Sequence, residues 1–216
     1  MSPNHQNQRQ SARRLGVGLL ALAATATAQR VVPVGITKAN IPETHSLDRR
    51  AFSSNLINEK NAYFAKVKIG TPAQTVTLHV DTGSSDLWVL WKGSDLCNSA
   101  SLQKTWGTCV DTFDAGSSTT YETVGEGTFE IAYVDETGAS GDYFTDNVSI
   151  GDMSITGLQM GIAANSTCNW GMMGIGYNTS VAAQEIYPNI IDLMVEQNLI
   201  STKAYSIYLV SIFSLF

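Results

Sequence analysis

The 216 residues set 13 Lys and Arg against 19 Asp and Glu, a formal charge of −6, and 44% of them are hydrophobic. That balance excludes the basic face of a nucleic-acid binder and the composition of a disordered chain. It leaves enough apolar material for one large domain or two small ones.

The chain opens with Arg9, Arg13 and Arg14 ahead of an apolar run over residues 15–28 that closes on Ala26-Thr27-Ala28. A basic flank, a short apolar stretch and a small-x-small close predict a secretory signal peptide over 1–28, cleaved after Ala28. The run is too short for a stable membrane span. Residues 29–50 contain Pro33 and Pro42, lack periodicity and end on Arg49-Arg50, which reads as a short pro-segment with the body beginning at Ala51. The expected location is therefore the secretory pathway: extracellular space, cell wall or vacuole.

From residue 62 the pattern is β. Alternation over 63–69 and 75–80, with Gly70-Thr71-Pro72 between, predicts two antiparallel strands. Further strands are expected at 87–91, 128–134, 143–150 and 158–163, a set of short strands that implies an all-β barrel or sandwich. One helix stands out, with Pro188 at its first position and Ile190, Ile191, Met194 and Val195 on one face.

Cys97 and Cys109 bracket a loop rich in Ser, Thr and Gly and are expected to form a disulfide in an oxidising compartment. Cys168 is left free, or paired beyond these residues. Asn147, Asn165 and Asn178 each open an N-glycosylation triplet. Asp86, Asp111, Asp142 and Asp152 lie in turn-like contexts and are expected to be solvated. His79 alternates to the face opposite Leu78 and Val80, while His5 and His45 fall outside the body, so no Ser-His-Asp arrangement arises. The sequence has no Gly-Lys phosphate loop and no cluster with metal-ligand spacing, so neither cofactor nor metal is expected.

The densest chemical signal is Asp81-Thr82-Gly83-Ser84-Ser85-Asp86-Leu87-Trp88-Val89, an acid at a strand end followed by a tight hydroxyl-rich turn. This run resembles the active-site loop of pepsin-like aspartic proteases, the peptidase A1 family. Tyr63-Phe64 through Ile69-Gly70-Thr71-Pro72-Ala73-Gln74 resembles the strand and turn that precede that loop. Ile131-Ala132-Tyr133-Val134-Asp135 is similar to the flap hairpin, and Gly171-Met172-Met173-Gly174-Ile175-Gly176-Tyr177 to the segment packed beneath the catalytic loop. Residues 187–209 are similar to the helix and strand that end the first lobe of fungal, yapsin-like members.

The resemblance implies a mostly β, pepsin-like acid protease lobe over 51–209, a six-stranded-type barrel or sandwich with one or two short helices. It implies that Asp81 is one of two aspartates that share a proton and hold the attacking water. Thr82 would brace the paired catalytic loops, with Gly83 in the turn, and Ser84 would hydrogen-bond the Asp81 carboxylate. Tyr133 would cover the scissile bond from the flap and bond Trp88, and Asp135 would contact substrate backbone. Crowding two acids splits their apparent pKa values, so that one acts as base while its neighbour donates. The partner implied is a peptide or protein substrate. Family members carry a second lobe with its own Asp-Thr-Gly or Asp-Ser-Gly loop, which these residues lack. The chain is thus expected to be a truncated amino-terminal half, with 210–216 an aberrant apolar tail. Two outcomes are expected to compete: an aspartic endopeptidase by family, or a non-catalytic secreted module binding peptides or a partner. Homodimer pairing would matter only if the lobe acts alone.

Overall fold

The computed structural model describes residues 37–38, 62–205 and 207, so the signal peptide and the apolar tail lie outside the described residues. β1 (Thr37–Lys38), within the expected pro-segment, pairs antiparallel with β2 (Tyr63–Ile69). β2 turns into β3 (Gln74–Asp81), which buries Val76 and Leu78 on one face. The turn needs Gly70: its φ is 89°, and a Cβ there would stand 2.8 Å from Ser118 Oγ.

β4 (Leu87–Leu90) is followed by two short helices, α1 (Asp95–Asn98) and α2 (Ala100–Trp106), where a plain loop was expected. The serines that suggested a loop act as caps: Ser94 Oγ accepts from Cys97 N–H and Ser99 Oγ from Leu102 N–H. The Cys97–Cys109 disulfide closes this segment as expected. β5 (Glu122–Ala132), β6 (Gly138–Ile150) and β7 (Met153–Ser166) form a long meander. β5 begins six residues before the expected 128, because its exposed, Gly-interrupted first half lacks the apolar alternation that marks a strand. β8 (Gly171–Gly174) and α3 (Ile190–Glu196) complete the described elements. α3 starts later than Pro188: Asn189 is its N-cap, and Asn189 with Asp192 forms a capping box.

The strand order β2-β3-β8-β4-β7-β6 closes on itself through Lys68↔Ser149 and Ile69↔Val148. It makes a six-stranded barrel with β1 and β5 as added edges, the mostly β architecture expected. Val67, Ile69, Leu78, Leu87, Val89, Phe144, Ile155 and Met160 fill its interior, and α3 packs Ile190 and Met194 against them. A second cluster gathers Trp88, Leu90, Phe129, Ile131, Tyr143, Met172 and Tyr187 beneath the β5–β6 hairpin.

Candidate active site

The site forms because β8 inserts between two strands that are neighbours in sequence. β8 runs parallel to β3, with Asp81 opposite Gly174, and antiparallel to β4, with Trp88 opposite Met172. The turn between β3 and β4 is therefore clamped by the chain that follows β8. Ile175 N–H donates to Asp81 O at 2.8 Å, Gly174 N–H to Asp86 O at 2.9 Å and Gly176 N–H to Ser84 O at 2.9 Å. Such close approach excludes side chains: a Cβ on Gly174 would lie 2.7 Å from the Asp86 backbone.

Asp81 is the last residue of β3 and is partly exposed. Its Oδ1 accepts from Gly83 N–H at 2.8 Å, so the turn itself aims the carboxylate. Thr82 and Gly83 are exposed beside it. The hydrogen bond expected from Ser84 to Asp81 is absent: Ser84 Oγ is sealed and meets no partner. It faces the Tyr133 phenol closely enough to favour that group's ionised form slightly, without hydrogen-bond geometry.

Above this loop the β5–β6 hairpin turns at residues 133–137, where Tyr133 N–H donates to Thr137 O at 2.8 Å. Trp88, fully buried, donates Nε1–H to Tyr133 Oη at 2.8 Å, the pairing expected from sequence. Burial pushes the Tyr133 phenol far up, more strongly than the Trp88 donor lowers it, so it stays protonated through the acidic and neutral range. Asp135 is exposed, and its Oδ1 accepts from the Thr137 hydroxyl at 2.7 Å and from Thr137 N–H at 3.1 Å. Those bonds, the hydroxyl first, hold the carboxyl below its ordinary value. Val134, at the tip, is fully exposed.

Asp86 departs from expectation. It is completely buried, not solvated, and its carboxylate accepts from Tyr143 Oη at 2.9 Å, Tyr187 Oη at 2.5 Å and Ala182 N–H at 2.7 Å. Burial first, and the Asp86 charge second, push both phenols up, keeping them as donors. Asp111 and Asp142 are half-buried, accepting from Thr77 N–H and Gly127 N–H, and Asp152 is exposed. His79 is half-buried on β3, two residues before Asp81; burial lowers its pKa and the nearby Asp81 charge partly opposes that.

Asn165 is exposed near the end of β7, while Asn147 and Asn178 are half-buried. Cys168 is a buried free thiol, and burial pushes its pKa up. Among the described residues, no group of three or more His, Cys, Asp or Glu could hold a metal ion, and no helix is long and apolar enough to cross a membrane.

A closed six-stranded barrel that holds an Asp-Thr-Gly carboxylate at a clamped strand end, beneath a hairpin carrying a protonated tyrosine, is a lobe of the acid-protease type. The chain belongs to the eukaryotic aspartyl protease family, whose model matches residues 62–214. It is 39% identical over 165 residues to "Probable aspartic-type endopeptidase OPSB" of Arthroderma benhamiae, covering 74% of this chain and 32% of that protein. It is 36% identical over 165 residues to "Secreted aspartic protease 7" of Candida albicans, covering 74% of this chain and 27% of the relative. An aspartic proteinase structure from Irpex lacteus overlaps 66% of this chain and 38% of its own at a TM-score of 0.49 and 24% identity. The chain thus spans about a third of the length of the curated relatives it matches.

Proposed function

We propose that the chain is the Asp81-bearing part of a secreted aspartic-type endopeptidase that hydrolyses peptide bonds at acidic pH. The observation that carries this reading is the Asp81 carboxylate, open at the end of β3 and fixed by Gly83 N–H at 2.8 Å beneath the Tyr133 hairpin. The 216 residues hold one Asp-Thr-Gly, so the second carboxylate is assigned to a second lobe or to Asp81 of a second copy. With one proton shared between the two, the ionised carboxylate takes a proton from water as the water oxygen bonds to the carbonyl carbon. The protonated one donates to the carbonyl oxygen. Collapse of the gem-diol breaks the C–N bond as the departing amine takes the proton now held by the first carboxyl and a gem-diol hydroxyl gives its proton to the second carboxylate, which restores the shared-proton pair. Thr82 is assigned to the contact between the paired loops and Asp135 to the substrate backbone. The secreted location, removal of 1–28 and 29–50, and glycan on the Asn165 triplet belong to the same proposal, supported by the basic-apolar leader and by a secreted relative.

Purified chain is tested for hydrolysis of a peptide at acidic pH. Cleavage blocked by pepstatin and lost in Asp81→Ala supports the endopeptidase. Saturable peptide binding without cleavage assigns the chain to a peptide-binding module instead.

A further inference from the structure

β5 is the last strand of the sheet and pairs with β6 alone. Along the hairpin Tyr133 N–H bonds to Thr137 O, and the register sets Ile131 opposite Ala139 and Phe129 opposite Gly141. Bonded pairs recur at every second rung of an antiparallel ladder, so residues 129 and 131 commit their backbone groups to β6. Glu130 and Ala132, on the alternate rungs, turn N–H and C=O outward. Among the described residues nothing pairs with that edge.

The charge along this edge has one sign. From residue 105 to residue 202 the chain carries no Lys, Arg or His, so β5, β6 and β7 are without a cation. Glu122, Glu126 and Glu130 are exposed on β5, and among the described residues none of them enters an ion pair. The same field acts on a neighbour. Burial pushes the Tyr121 phenol up, Thr123 opposes the rise, and the charges of Asp142, Asp146 and Glu126 add to it.

A second copy of this edge would bring like charges together and be repelled. A strand bearing Lys and Arg meets the glutamates with opposite charge and supplies the backbone partners that Glu130 and Ala132 lack. We infer that the β5 edge is a docking surface for an extended, Lys- and Arg-rich segment of another polypeptide, added to the sheet as a further strand. The glutamates set the sign of the partner, and the open backbone sets its conformation. Pairing is confined to the end of β5 near residues 130–132, because the register shifts between Thr123 and Phe129 break the earlier edge. Glu122 and Glu126 act on the incoming chain through charge alone. The surface is separate from the Asp81 turn, and the inference does not rest on the endopeptidase reading.

Calorimetry on the full chain near pH ~7.5, where glutamate is ionised, compares a short peptide alternating Lys and Thr with one carrying Glu in place of Lys. The Lys peptide is expected to bind and the Glu peptide not, with an affinity that falls as salt is raised. Changing Glu122, Glu126 and Glu130 together to Gln is expected to weaken binding about tenfold, the sum of three exposed charge pairs. Amide exchange separates strand addition from loose ionic attraction: the Lys peptide should slow exchange at Glu130 and Ala132. Glu130→Pro removes an outward N–H without touching the bonds to β6 and should abolish the protection at Ala132. If proline disturbs the hairpin, exchange in the wild type and binding by the Gln variant decide. Absence of Lys-peptide binding, equal binding of the Glu peptide, binding unchanged in the Gln variant, or binding without protection at residues 130 and 132 overturns the inference. None of these outcomes involves peptide hydrolysis, so the endopeptidase reading stands or falls separately.

Discussion

Tyr187 donates its hydroxyl hydrogen to Asp86 at 2.5 Å across 101 positions of sequence. The carboxylate, fully buried next to the Asp81 turn, also accepts from Tyr143 Oη and Ala182 N–H, so removing it strands two buried phenols and one backbone donor at once. Asp86→Ala is expected to lower unfolding free energy by about 3 kcal/mol or more, and Tyr187→Phe by about 1.5 kcal/mol, since the carboxylate keeps two donors. Urea denaturation of the two variants beside the wild type measures the difference; equal midpoints would refute the network's role.

A second prediction concerns Trp88 and Tyr133. In Tyr133→Phe the fully buried indole N–H loses its acceptor, a cost of about 1–3 kcal/mol. The hairpin also loses its tie to the sheet. Denaturation midpoints should fall and amide exchange at residues 133–137 should speed up, while Tyr133→Phe combined with Trp88→Phe should cost less than the sum of the single changes.

Gly174 offers a sharper steric test. Its missing side chain lets β8 approach the backbone of residues 85–86. Gly174→Ala should force the Asp81 turn apart, costing about 1–3 kcal/mol. An unchanged melting temperature would show that the turn moves freely, contrary to the clamp described.

His79 titrates between two opposing influences. Burial, the larger, lowers its pKa, and the Asp81 charge raises it. Asp81→Asn should therefore shift the His79 ring titration, followed by proton NMR, to lower pH. Because the folded-state value lies below the unfolded one, the unfolded chain binds more protons in between. This residue accordingly makes the fold lose stability as pH drops below about 6.5 and level off once the folded value is passed. His79→Gln should flatten that slope.

Much of this architecture is legible in the sequence because it is local. The alternation of β2 and β3 and the Asp81 turn need only near neighbours, and the strand boundaries there fall within a residue or two. β8 is harder: Gly-Met-Met-Gly is buried on both faces, so it shows no alternation and does not read as a strand. Asp86 looks solvated because acids in turns usually are, and nothing nearby reveals that Tyr143 and Tyr187 converge on it from 57 and 101 residues away. The caps Ser94 and Ser99 misled in the opposite direction, since serine-rich composition suggests a loop while each hydroxyl starts a helix.

The insertion of β8 between β3 and β4 also orders events in time. During synthesis the Asp81 turn emerges early, yet residues that bracket it, such as His79 and Met172, are 93 positions apart. Until β8 has been made and has threaded between the two waiting strands, β3 lacks its parallel partner, β4 lacks an antiparallel one and the Asp81 turn is unclamped. Such a distant closure is slow compared with hairpin formation, so the Asp81 turn is among the last parts of the barrel to acquire its shape.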